Sequence, residues 1–439
     1  MRRRRRAIPR TVGIDPIGAV DCGVAGRVPR EESSAMADAS SDRPRMRPIE
    51  AFPVPRREGT VYCFRDPGGG SEEILFLSET EAWIASRLDG TRDIGDIQVE
   101  LCRMSGEIVP RDRIASVIDR MEAACFLDSP AYRERLRIQE ETFHRLAKRP
   151  AAHAGISYEA DPESLAVWID QTVAAADSRA PANPPRGLVA PHIDPHRGAA
   201  AYGSAYRAIR GSQARRIVIL GISHSGGEIP FATIDKDFEI PLGDCAVDRE
   251  FLEDLHAGLP FDPLSGRLLH RKEHSIEFQA IFLRRVLGDW SARRIVPILC
   301  CFPWLPVPLR GSLPYPQEWR VAFVERLASL LDEETLVVLG VDFAHVGCRF
   351  GDPHGRAADR KEAIEREDRE MMARIADGDR EGFLAVMERE QDARRICGYP
   401  AILTMLEAMP GARGRVLDYG QAIEEETDSL VSFGAIAMA

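Results

Sequence analysis

The chain has 439 residues, 44% of them hydrophobic, which allows more than one folded domain with a sizeable buried core. Its net charge of −11 argues against a protein that binds nucleic acid through a broad basic surface, because phosphate recognition needs positive charge. The nine cysteines lack the paired spacing of a zinc ribbon or a secreted disulfide framework, and no stretch approaches the ~18 to 20 apolar residues that cross a bilayer, so we predict a soluble, cytoplasmic protein.

The first 130 residues predict a tail followed by a small module. Residues 1–56 are rich in Arg, Pro, Gly and Ser and have no hydrophobic period, which predicts a disordered basic tail. In 57–130, the stretches VYCFRD and EEILFLS predict two short strands, and Ser78 caps a helix. Two more helices follow, the second beginning at Pro110. We expect a small winged-helix-like unit.

The rest of the chain predicts a linker and a larger domain. Residues 131–185 are charged and interrupted by prolines, which predicts a helical linker. In 186–439, short apolar runs alternate with helical segments: GLVAP, RIVILGI, RIVPILCC and TLVVLGV, then LVSFGAIAM near the end. Such continuous runs are typical of buried parallel strands. The fold class is therefore α/β, with a largely parallel or mixed central sheet.

Ligands of open α/β sheets bind outside the carboxyl ends of the strands, so the residues that follow each predicted strand are the candidates for a site. Imidazole and thiolate are ligands of iron, copper and zinc, and separate loops can bring them together. The candidates are His192, Asp194 and His196 after the first run, His224 after the second, Asp342 and His345 after the fourth, and Glu273, His274 and Cys397 at two helix starts.

Each candidate also has a structural interpretation. A single histidine after a strand is often a hydrogen-bonded loop residue, and His196 and His270 are assigned to that class. Cys397, at a helix N-terminus, would have its thiolate favoured by the backbone amides. With His345 as base and Asp342 as orienting group, it would also suit a metal-free, hydrolase-like enzyme.

Seven motifs, in one order over about 250 residues, resemble the MEMO family, known in bacteria as AmmeMemoRadiSam system protein B. They are APH at Ala190–His192, ILGISH at Ile219–His224, FEIPLGDCAVD at Phe238–Asp248, EHSIEFQ at Glu273–Gln279, IVPIL at Ile295–Leu299, VDFAHVG at Val341–Gly347 and ICGYPAI at Ile396–Ile402.

The resemblance implies a fold similar to the class III extradiol dioxygenases and an iron or copper site formed by His192, His224 and Cys397. It also implies that His345, Asp342 and His274 line the same cleft as acid/base groups, and that the partners are a radical-SAM enzyme and an AMMECR1-like protein. The dioxygenases have a carboxylate where this family has cysteine, which weakens the case for ring cleavage. If the protein is an enzyme, a metal-dependent oxidoreductase of the Fe(II) dioxygenase type is the alternative, and a binding protein without catalysis is another.

Two further features qualify the resemblance. The first motif continues as APHIDPHRG, which leaves open whether Asp194 and His196 join the site. The module at 57–130 resembles the PqqD-like domains that serve radical-SAM maturases, through LSETEAWIASRLDG, DIGDI and the ending AACFL. In that family the module binds a peptide as an added strand, which implies a peptide ligand here.

Overall fold

A computed structural model describes most of the chain. The contacts divide it into two compact units, which we describe separately: of the described residues, 43–137 and 348–352 form the first and 138–347 and 356–439 the second. The described residues are 43–56, 59–66, 70–176, 183–305, 313–352 and 356–439.

The first unit contains a three-stranded antiparallel sheet in the order β1-β2-β3, with helices after it. Its elements are β1 (Glu50–Arg56), β2 (Gly59–Arg65), β3 (Ile74–Ser78), α1 (Glu79–Ala85), α2 (Ile94–Ser105), α3 (Arg111–Ala123) and a 3-10 turn at Cys348–Phe350. Helix α4 (Pro130–Arg145) leads from this unit into the second along the chain.

Strand β1 corrects part of the predicted disordered tail. Residues 1–42 lie outside the described residues, but 50–56 pairs with β2 along its whole length. The prolines that suggested disorder are compatible with a strand here because β1 is at the edge of the sheet, where one side needs no hydrogen-bonding partner.

The helices of the first unit begin where the sequence predicts. Ser78 accepts a hydrogen bond from the Glu81 N–H, and the Glu81 carboxylate accepts one from the Ser78 N–H. Asp93 and Asp96 form the same reciprocal pair at the start of α2. A side-chain cap of this kind stabilises a helix by about 1 kcal/mol. The predicted helix start at Ser78 is confirmed.

The second unit is a mixed α/β structure. Its helices are α5 (Pro162–Ala175), α6 (Ala199–Ala208), α7 (Arg249–His256), α8 (His274–Val286), α9 (Gln317–Leu330), α10 (Arg356–Ala376), α11 (Arg380–Glu390) and α12 (Tyr399–Ala408), with 3-10 segments at Pro263–Arg271 and Glu425–Thr427. Its strands are β4 (Lys148–Arg149), β5 (Gly187–Ala190), β6 (Arg216–Ile222), β7 (Phe231–Thr233), β8 (Asp237–Phe238), β9 (Arg294–Cys300), β10 (Thr335–Gly340), β11 (His345–Gly347), β12 (Gly414–Glu424) and β13 (Ser429–Met438).

In the described chain, the central sheet has the order β11-β13-β5-β10-β6-β9-β7, with β12 paired to β13. The inner strands β5, β10, β6 and β9 are parallel to one another, and the outer strands pair antiparallel. The inner strands are buried almost throughout, as their apolar sequences require. The predictions of an α/β fold, a mixed sheet and five of its strands are confirmed.

The segment 131–185, which the sequence predicts to be a linker, contributes to the core of the second unit. Leu165, Ile169 and Val173, on one side of α5, are completely buried in it. The Arg149 side chain is also completely buried and forms an ion pair with the buried Glu277 of α8. None of the helices in the described part of the chain combines the length and apolar character needed to cross a membrane.

Candidate metal centre

The parallel strands bring the predicted site residues to one edge of the sheet. Ala190, at the end of β5, is paired with Gly340, at the end of β10, so the chain positions two residues further on, His192 and Asp342, are neighbours. The His192 N–H donates to the Asp342 carboxylate over 3.0 Å. Strand β6 lies on the other side of β10 and delivers His224 to the same edge.

Helix α8 begins unusually close to this edge because glycine leaves room for it. A Cβ atom on Gly340 would lie 2.1 Å from the Ser275 carbonyl oxygen, and one on Gly221 would lie 2.6 Å from the Ser275 hydroxyl. Ser275 in turn exchanges hydrogen bonds with the backbone N–H and C=O of Ile222. This close approach places Glu273 and His274, at the helix start, beside the strand ends.

The tautomer of His192 follows from its hydrogen bonds. Its Nδ1 lies 2.9 Å from the Gly340 carbonyl oxygen, which can only accept, so Nδ1 carries the proton. The lone pair is therefore on Nε2, which lies 3.3 Å from the sulfur of Cys397. Burial lowers the pKa of His192 to about 3, which keeps the imidazole neutral, the form that binds metals.

A buried carboxylate orients His224. Nδ1 of His224 lies 3.0 Å from both oxygens of Glu273, and the His224 N–H also donates to this group. Burial raises the pKa of Glu273, but His224, His274 and the Ser275 N–H outweigh it, so that pKa lies well below its usual value. The carboxylate fixes the proton on Nδ1 and the lone pair on Nε2, an arrangement common behind metal-binding histidines.

Cys397 completes a set of three donors. One ligand atom from each of His192, His224 and Cys397 lies within 4.8 Å of the others. Bonds of about 2.1 Å to nitrogen and 2.3 Å to sulfur put tetrahedral donors roughly 3.6 Å apart, so the 3.3 Å between Cys397 and His192 needs little adjustment. The donor set fits a transition-metal ion.

A second set of three potential ligands, His224, Glu273 and His274, satisfies the same 4.8 Å spacing. Its members already contact one another directly. Nδ1 of His224 and Nδ1 of His274 lie 3.0 and 3.3 Å from the same oxygen of Glu273. In the set that contains Cys397, Nδ1 of each histidine faces an acceptor, which leaves Nε2 for a metal. The hydrogen bonds therefore favour the set that contains Cys397.

The three predicted acid/base residues also lie at this edge. The ring of His274 packs against the rings of His192, His224 and Phe278, with centroids 4.7 to 5.2 Å apart. Nδ1 of His345 lies 3.1 Å from the carbonyl oxygen of Phe343, so it too carries its proton on Nδ1. The structure thus gathers all six residues of the predicted site, and their chemical roles stay predictions.

Burial dominates the ionisation of these groups. It raises the pKa of Asp342 to about 6, lowers that of His345 to about 4 and lowers that of His274 well below its usual value. It also raises the pKa of Cys397 well above its usual value, with the charge of Asp342 adding to the effect. In the metal-free protein, burial and the charge of Asp342 thus oppose the predicted thiolate, although Cys397 lies just before the first residues of α12. A bound cation would deprotonate the thiol directly.

Other candidates lie outside the cluster. Asp194 accepts hydrogen bonds from the N–H groups of His196 and Arg197 and so caps its own turn. The His196 side chain is 47% exposed and lies near Glu159. His270 is buried and contacts the carbonyl oxygen of Ala232, as its assignment to the structural class requires.

Sequence reasoning named Glu273 as a neighbour of His274 but did not assign its contact with His224. The sequence does indicate that Glu273 is the residue whose side chain caps the start of α8. The 49 positions between Glu273 and His224 hid the contact.

The fold and the donor set together define an α/β protein with a nitrogen- and sulfur-ligand cluster at the carboxyl edge of a mixed sheet. Residues 149–437 match the model of the Memo-like protein family. A MEMO1 family protein of Aquifex aeolicus (strain VF5) is 30% identical over 86% of this chain and 96% of its own length. The chain belongs to the MEMO1 family.

Two other relatives show how far the similarity extends. A MEMO1 family protein of Thermus thermophilus is 28% identical over 79% of this chain and 99% of its own length. The memo-1 homolog of Caenorhabditis elegans is 31% identical over 65% of this chain and 81% of its own length. The bacterial matches are too long to fit within 149–439 alone, so they include part of the chain before residue 149.

Proposed function

We propose that the protein binds one redox-active iron or copper ion through His192, His224 and Cys397. The observation that carries the proposal is the convergence of three donors, two of which are imidazoles whose protonation suits a metal. Both imidazoles hold their protons on Nδ1, against Gly340 and Glu273, which leaves Nε2 of each ring for a metal, and Nε2 of His192 lies 3.3 Å from the Cys397 sulfur. When bound, such an ion would supply Lewis acidity and one-electron redox chemistry.

The chemistry of the third donor supports metal binding more than the cleavage of an aromatic ring by a dioxygenase. The third donor is a soft thiolate rather than the carboxylate of the two-histidine, one-carboxylate oxygenase sites. The metal-free hydrolase alternative is also weakened, since the imidazole in contact with the Cys397 sulfur is that of His192 and burial raises the pKa of this thiol. His345, Asp342 and His274 remain as groups that hold or transfer a proton beside the ion.

Metal analysis of protein purified and reconstituted without oxygen tests the proposal. Wild type should hold about one iron or copper ion per chain, and His192→Ala and Cys397→Ala should lose most of it. His196→Ala is the matched control, because His196 lies in the same motif but is exposed. Absence of metal in reconstituted wild type, or equal content in the ligand variants, contradicts the proposal.

We further propose that the protein works in the reducing cytoplasm with a radical-SAM enzyme and an AMMECR1-like protein, a proposal supported by the motif resemblance. We also propose that the first unit binds a peptide. Its support is the resemblance of this unit together with strand β3, an edge strand on which Ile74 and Phe76 are 37% and 49% exposed. Binding of the three purified proteins by calorimetry tests the partnership. A Phe76→Glu variant should bind the peptide more weakly while its metal content stays unchanged, and unaltered peptide affinity argues against the β3 edge.

A further inference from the structure

The segment that leads to Cys397 has an unusual backbone. Between α11 and α12, the residues Gln391, Asp392 and Arg395 have φ values of 51°, 53° and 52°. This left-handed region is unfavourable for residues with a Cβ, and several such residues in one short segment persist only where the surrounding structure holds them. Something outside the segment must therefore stabilise it.

Arg394 is the group in this segment that is anchored most deeply. Its guanidinium is completely buried and forms an ion pair with Asp368 of α10, which is also completely buried. It donates two further hydrogen bonds to Glu390, at the end of α11, over 2.7 and 3.0 Å. Asp368 accepts a hydrogen bond from Tyr419 of β12 over 2.8 Å. The Arg394 side chain thus ties the segment to two helices and, through Asp368, to the sheet.

The backbone around Arg394 contacts the candidate metal centre on two sides. The His345 N–H donates to the Arg394 carbonyl oxygen over 2.7 Å, and Nδ1 of His345 lies 3.2 Å from the Arg395 carbonyl oxygen. Three residues after Arg394, Cys397 contacts His192, and the Gly398 N–H donates to the Asp342 carbonyl oxygen over 3.1 Å. A displacement of this segment would move both the sulfur donor and the partner of His345.

We propose that the buried Arg394–Asp368 pair positions the segment between α11 and α12, residues 391–398, so that Cys397 reaches the ion as its third ligand. The proposal rests on the proposed metal binding, and it assigns to Arg394 no contact with the metal or a substrate. Removing the pair should let the Cys397 sulfur move away from the ion, while His192 and His224, in the loops that follow β5 and β6, keep their positions.

The test uses the full chain with the double substitution Arg394→Met and Asp368→Asn, which removes both charges of the completely buried pair, while Glu390 keeps Arg389 at 3.4 Å. Arg374→Met is the matched control, because Arg374 is also on α10 and pairs with an acid, Asp379 at the start of α11, but is 47% exposed. Cobalt(II) is the probe, since its thiolate charge-transfer absorption reports the metal–sulfur bond. The double variant should lose this absorption and bind cobalt about tenfold to a hundredfold more weakly, whereas the control should match wild type.

A second measurement separates this proposal from metal binding itself. In metal-free protein, the labelling rate of Cys397 by a thiol reagent, read by peptide mass spectrometry, should rise about tenfold in the double variant as the segment opens. If wild type binds no iron, copper or cobalt, the proposed metal binding fails, and the labelling rate alone then tests the positioning role. A folded double variant with an unchanged labelling rate and, where cobalt binds, an unchanged sulfur absorption overturns the positioning role.

Discussion

Glu273→Gln tests whether a buried carboxylate behind His224 sets the metal affinity. Glutamine is nearly the same size and keeps an oxygen for the Ser275 N–H, which Glu273 caps over 3.0 Å. It loses the negative charge, and with it the charge-assisted hydrogen bonds from His224 Nδ1 over 3.0 Å. Such bonds are about twice as strong as neutral ones, so the imidazole becomes less firmly oriented and less basic.

The expected loss is about tenfold to a hundredfold in metal affinity, or roughly 1.4 to 2.7 kcal/mol. Competition titration of cobalt(II) or copper against a chromophoric chelator, at one fixed pH, measures it. Asp161→Asn is the matched control: Asp161 also caps a helix through a backbone N–H, that of Ser164, but it is exposed and is not a member of the cluster. Affinity of the Glu273 variant within about twofold of wild type, with the metal-free protein still folded, refutes the reasoning.

Three other substitutions probe the fold around the site. Burial lowers the pKa of His270 to about 3, so the folded state resists protonation of this side chain. As the pH falls below about 6.5, wild type should therefore lose about 1.4 kcal/mol of stability per pH unit relative to His270→Gln. Urea-unfolding profiles that stay parallel between pH 7 and pH 4 would contradict this. Arg149→Met leaves Glu277 charged and buried, so it should destabilise the folded protein by about 3 to 5 kcal/mol in urea unfolding. The control Lys148→Met, at an exposed ion pair, should show no measurable change. Equal urea midpoints for the two variants would contradict this prediction. Gly340→Ala places a Cβ 2.1 Å from the Ser275 carbonyl oxygen, in the first turn of α8. The unfolding temperature should therefore fall and cobalt should bind more weakly. A wild-type unfolding temperature together with wild-type cobalt affinity would argue against close packing between β10 and α8.

The predictions made from sequence succeed where the pattern is local. The apolar runs locate the inner strands β5, β6, β9 and β10, because a strand covered on both faces needs a continuous run of apolar side chains. Helix starts are equally local, since Ser78 and Glu273 accept hydrogen bonds from N–H groups two or three residues away. Prolines misled the prediction for β1, because an edge strand tolerates them.

By itself, the sequence determined the fold class, the inner strands and the histidines at the strand ends. Only the tertiary structure decided which of these side chains meet, because Cys397 and His192 are 205 positions apart and come together through the order of strands in the sheet. It also decided that Asp194 and His196 stay outside the cluster and that burial raises the pKa of the Cys397 thiol. Contacts and desolvation depend on everything packed around a group, and no local pattern encodes them.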